Sequence, residues 1–234
     1  MVVRASALLG VLGGLAAYYA ARESLPDIPL WWEVAVIGLA VMPAAFACVR
    51  LALPLASSPL LAYAVAALVS LTALFHVAEL DVAANFLKFA AVMSLGWLFL
   101  GLFEEASWVL LIALVIVPVD IFSVVRGPTK HIVEKQHELF NFFSVSFPVP
   151  GERTSAQLGL PDILFFALFL GAAERFRLRR ELTWLLMTLS FAGTLAGTVR
   201  LDVSGLPALP LLSAGFVLAN GDLLWRAVWA RRAT

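Results

Sequence analysis

WVLLIALVIVPVDIFSVV, residues 108–125, is an apolar run interrupted by a single carboxylate, Asp120. Its length suits a helix crossing a hydrocarbon core of ~30 Å, which takes about 20 residues. The apolar residues are continuous rather than alternating, and lipid offers no partner for a free backbone N–H or C=O, so the run is expected to be a helix and not a barrel strand.

Working outward, seven further runs have the same character: Val3 to Ala21, Trp31 to Val49, Leu60 to Glu79, Phe86 to Phe103, Leu158 to Ala173, Leu182 to Val199 and Leu206 to Trp225. The 234 residues are 62% hydrophobic with a mean hydropathy of +0.95, far above a soluble domain. The expectation is an all-α, polytopic transmembrane helical bundle of about eight spans, forming a single integral-membrane domain. Residues 1–117 supply N-terminal helices, and residues 118–234 carry the chemistry around a 126–157 loop. Trp31, Trp32, Trp108, Trp184 and Trp225 fall near span ends, where amphipathic rings favour the interface. The first run resembles a secretory signal but is long for one, so it is expected to be a retained helix, with Gly10 and Gly14 spaced for close packing.

Net charge is zero, which points to no nucleic acid and no polybasic lipid-binding surface. Position matters more. With eight spans, Arg4, Arg50, Arg175, Arg177, Arg179, Arg180, Arg226, Arg231 and Arg232 share one side. Arg22, Lys88, Arg126, Lys130, Lys135, Arg153 and Arg200 share the other. The four arginines of the short Glu174 to Glu181 loop place that loop and both termini in the cytoplasm. Cys48 is the only cysteine, so there is no disulfide framework and no thiolate metal site. No metal or organic cofactor is implied.

A second carboxylate, Asp162, sits in the next apolar run. Asp120 lies six residues before Arg126 and Asp162 five residues after Gln157, so at about 1.5 Å per residue both are roughly 8 Å inside the same face. Helices joined by one loop are antiparallel neighbours in the simplest packing, so the two carboxylates are expected to meet. An intramembrane acid is costly and is functional by default. Two such acids in a low-dielectric site cannot both ionise easily and share a proton near neutral pH, the arrangement of aspartic proteases. The ionised member serves as general base on a water; its partner hydrogen-bonds the scissile carbonyl and protonates the leaving amine.

Three ordered blocks resemble the presenilin and signal peptide peptidase family of intramembrane aspartyl proteases, especially its microbial members. Val119-Asp120, with Ser123-Val124 and Thr129-Lys130-His131 after it, resembles the family's Tyr-Asp block. Gly159-Leu160-Pro161-Asp162 resembles its Gly-Xaa-Gly-Asp block, and Gly205-Leu206-Pro207-Ala208-Leu209-Pro210 its Pro-Ala-Leu block. The resemblance covers the chain from Pro118 onward. It implies that Asp120 and Asp162 are the catalytic pair, with Gly159, Leu160, Pro161, Pro207, Ala208 and Leu209 shaping the site and receiving substrate. The implied substrates are transmembrane proteins or signal peptides, in a prokaryotic cell membrane. Three features depart from the pattern: Val119 replaces the tyrosine, Pro161 replaces the second glycine, and eight spans replace the usual nine.

Prolines 207 and 210 spoil regular helix bonding at the start of the last run, leaving backbone groups that an extended peptide could use. A simple proline-led helix start is the plainer reading. The amphipathic residues Ile132, Val133, Leu139 and Phe140 suggest a short interfacial helix in the loop. Glu134 and His137 have a Glu-x-x-His spacing without the second copy that a di-iron site needs. A proton- or ion-coupled transporter using the same carboxylates remains an alternative, as does a prepilin-peptidase-like enzyme. Deep convergence of Glu33 and Glu79 would favour the transporter.

Overall fold

The computed structural model describes residues 2–125, 142–152, 155–203 and 205–230. Among them are eight helices: α1 (Val2–Ala20), α2 (Leu30–Ser57), α3 (Leu61–Val77), α4 (Asp81–Leu100), α5 (Ala106–Val125), α6 (Leu160–Arg175), α7 (Arg180–Leu201) and α8 (Leu209–Ala230). Each expected run therefore folds as a helix, with shifted ends. Helix α2 is composite, with a π turn at Ile37–Val41 in which the N–H of Met42 donates to Ile37, five residues back. Pro43 follows directly, and its missing donor prevents the next regular α turn.

Among the described residues, five helical stretches are long and apolar enough to cross a membrane: Val3–Ala20, Leu30–Ser57, Asp81–Leu100, Ala106–Val124 and Arg180–Leu201. The other three helices, α3, α6 and α8, are not among these stretches. At 17 residues α3 is short, and α6 has 16 because Leu158 and Gly159, expected to open it, lie in a strand instead.

That strand belongs to a small hairpin, which the helical reading did not foresee, within an otherwise helical bundle. Inside the expected 126–157 loop, β1 (Ser144–Pro148) pairs antiparallel with β2 (Ser155–Gly159), with Val145 opposite Leu158 and Ser146 opposite Gln157. The β1 sequence alternates polar and apolar with period two, as a half-buried strand requires. Val145, Phe147 and Leu158 are buried in the core. On the other face the Ser144 and Ser146 hydroxyls donate to the Gln157 carboxamide oxygen at 2.6 and 3.0 Å. Gly151 in the connection has φ +77°, a conformation that glycine adopts without strain. Ile132 to Phe140, Thr129, Lys130 and His131 lie outside the described residues.

The core is organised on α6, where Ile163, Phe166 to Leu170, Ala172 and Ala173 are fully buried. A helix apolar on all sides is one surrounded by others. Phe166 stacks on Phe46 of α2 at 3.9 Å between ring centroids, and Phe169 on Phe216 of α8 at 4.8 Å. Helix α4 packs closely along α6, with Gly96 against Leu164 and Gly171 against Trp97 and Leu100. Helix α5 packs chiefly on α8 and meets α6 only along a short stretch, so chain neighbours joined by the loop are not the main packing partners. Gly10 and Gly14 face open space, which corrects their expected packing role. Gly193 does too, whereas Gly197 lies against Leu206.

Candidate active site

Asp162 is the third residue of α6, whose N-cap is Gly159 and whose second residue is Pro161. The first N–H groups of a helix have no internal partner, so a proline there removes nothing that was bonded. No side chain of the cap residue serves this helix start. Instead the Asp162 carboxylate turns back to accept the N–H of Gly159, as the third residue does in a capping box. A Cβ on Gly159 would lie 2.9 Å from the Asp162 Oδ2 atom. The φ of Gly159 is an ordinary −59°, so a larger residue here would push on the Asp162 carboxylate and would not strain the backbone.

Asp162 thus stands at the junction of strand and helix. Gln157 to Gly159 before it is extended strand, so a helical rise does not set its position.

Asp120 lies toward the end of α5, two residues after the internal Pro118. Its Oδ2 accepts the N–H of Leu209 at 3.1 Å. Leu209 is the first residue of α8, so this donor is another of the unpartnered N–H groups at a helix start, at the positive end of the helix dipole. Leu209 is buried, with Pro207 and Ala208 half-buried before it. The Pro207-Ala208-Leu209 segment is therefore tied to Asp120 across 89 positions of sequence.

The two carboxylates are close enough for the charge of Asp120 to act on Asp162. Both are half-buried, and among the described residues neither forms an ion pair. Two helix starts and two acids converge where α5, α6, α8 and β2 meet. Gly159 and Leu209 each contribute a backbone donor; Leu160 instead continues the hairpin ladder, its N–H donating to Phe143 at 3.0 Å. Pro161 is exposed.

Sequence reading missed the clamp that seats the hairpin. Asn85 on α4 matches both backbone groups of Ser146 on the outer edge of β1, accepting its N–H at 3.0 Å and donating to its C=O at 2.9 Å. The Tyr19 hydroxyl also donates to that carbonyl and accepts from Asn85 Nδ2 at 2.9 Å. Lys88 donates to the Ser144 carbonyl at 2.9 Å, and Tyr18 to that of Pro148 at 2.5 Å. Two polar side chains three residues apart in an apolar helix were the available signal.

Glu33 lies near Asp27 and Glu152, and Glu79 is exposed just past α3 with φ 57°, so these two acids do not converge on the pair. Among the described residues no group of three or more His, Cys, Asp or Glu is placed to hold a metal ion. Compared with family models, curated proteins and solved structures, the chain matches none.

Proposed function

We propose that this chain is an intramembrane aspartyl protease of the presenilin and signal peptide peptidase type, cutting transmembrane segments or signal peptides within a prokaryotic cell membrane. The observation that carries the reading is the convergence of Asp120 and Asp162, with the Leu209 N–H on Asp120. The long apolar helices are compatible with the membrane setting this reading needs.

In this mechanism the ionised carboxylate takes a proton from a water whose oxygen attacks the scissile carbonyl carbon. The protonated carboxyl hydrogen-bonds the carbonyl oxygen. As the tetrahedral intermediate collapses, the C–N bond breaks and the amine leaves with a proton supplied by the pair. Backbone donors hold both carboxylates in place without a cation that would fix them as ions. A substrate helix must unwind to expose a carbonyl, because a helical carbonyl is already bonded. Leu206 to Ala208 precede α8 in non-helical backbone, which suits the binding of an extended segment.

The test is cleavage of a single-span reporter by the purified chain in liposomes. Asp120→Asn and Asp162→Asn are each expected to abolish cleavage with helix content and melting retained. A wild type that cleaves a panel of reporters no better than the double variant overturns the reading, and proton-coupled flux through the same residues becomes the next measurement.

A further inference from the structure

The end of the bundle remote from the aspartates contains a cavity lined by Arg4 of α1, Arg50 and Leu51 of α2, and Arg180 of α7. Three arginines from positions far apart in sequence thus line one space. Its volume of about 110 Å³ is below the ~300–1,000 Å³ of pockets for drug-sized ligands and suits a group no larger than a small anion.

Like charges do not gather without compensation, and here it is partial. Arg180 pairs with Glu174 at 2.9 Å and Glu181 at 2.7 Å, and Arg50 pairs with Glu181 at 2.7 Å. Arg50 also lies 5.5 Å over the Trp184 ring, whose Nε1 donates to the Phe46 carbonyl at 3.0 Å. These contacts fix two of the guanidiniums in position. Arg4 forms no ion pair among the described residues, so the three cations face two carboxylates and one positive charge is left over.

We propose that the Arg4, Arg50 and Arg180 cavity binds a phosphate-bearing anion. A planar guanidinium fork matches phosphate geometry, and fixing two forks beforehand reduces the ordering cost of binding. Leu51 gives the cavity an apolar wall, as a phosphate ester with carbon substituents would need. At a bilayer interface the ligand is the phosphate of an anionic lipid headgroup; in solution it is free phosphate. The site does not depend on the proposed protease activity.

The test is native mass spectrometry of the full chain in detergent, with phosphatidylglycerol, phosphatidylcholine and inorganic phosphate as probes. Phosphatidylglycerol should be retained about tenfold over phosphatidylcholine, and Arg4→Gln should lower that retention about fivefold, the effect of one basic side chain facing an anionic headgroup. Arg200→Gln, at the other end of α7, should leave it unchanged. Displacement by inorganic phosphate identifies the soluble anion as ligand, and resistance to displacement identifies the lipid; both support the site. Equal retention of the two lipids by wild type overturns it, and so does wild-type retention by both Arg4→Gln and Arg50→Gln. Melting curves of each variant separate lost binding from lost folding.

Discussion

At the Arg175 end of α6, Glu174, Glu181 and Asp222 are each matched by guanidiniums at 2.6 to 2.9 Å. About 20 Å away at the other end of the same helix, Asp162 lies within reach of the Asp120 charge and each accepts a backbone N–H, with no ion pair among the described residues. Paired acids fasten α2, α6, α7 and α8 together at one end. At the other, helix starts supply partial positive charge that orients two carboxylates without a full counter-ion. Acids held in this second way remain free to exchange a proton with water. On the function proposed above, the contrast separates a structural use of charge from a chemical one.

The largest effect should fall on the aspartates. Asp162→Ala is expected to lower reporter cleavage about thousandfold, a barrier increase of roughly 4 kcal/mol. Asp222→Ala at the far end should leave turnover within about twofold. Equal losses at both ends, measured in the same liposome assay, would break the comparison.

Gly159→Ala sharpens it, because the added methyl lies 2.9 Å from Asp162 Oδ2 and must displace the carboxylate. A displacement approaching 1 Å should cost about a hundredfold in turnover, or roughly 2.7 kcal/mol, with little change in melting. Wild-type turnover would show that the position of Asp162 is not critical.

Asn85→Ala tests whether the hairpin sets that position. It strips the Asn85 partner from both backbone groups of Ser146, at an expected cost of about 2 kcal/mol, read by thermal melting and by faster hydrogen exchange at Ser146. Unchanged exchange would show that Tyr19 and the β2 ladder hold β1 unaided. The smallest effect belongs to Glu181→Gln, which weakens the pairings to Arg50 and Arg180. An exposed pair of this kind contributes about 1 kcal/mol or less, and cleavage should not change.

Continuous apolar runs located all eight helices, because a backbone without water must satisfy its own hydrogen bonds and length alone marks each segment. The sequence also marked Asp120, Asp162 and the Pro207-Ala208-Leu209 segment, since a carboxylate or a proline in an apolar run conflicts with its surroundings and stands out. The hairpin was hidden: two five-residue strands with three buried apolar side chains between them fit equally well into a loop or a helix start. So was the Asn85 clamp, whose partner is a backbone amide 61 residues away.

By itself, then, the sequence determined which segments are helical and which residues are costly to bury, because those depend on local composition. The tertiary structure decided that α5 lies against α8, that Asp120 accepts the Leu209 N–H, and that Asp162 follows directly from a strand. Each of those outcomes depends on packing between distant segments around α6, and no local pattern encodes which donor a buried carboxylate will find.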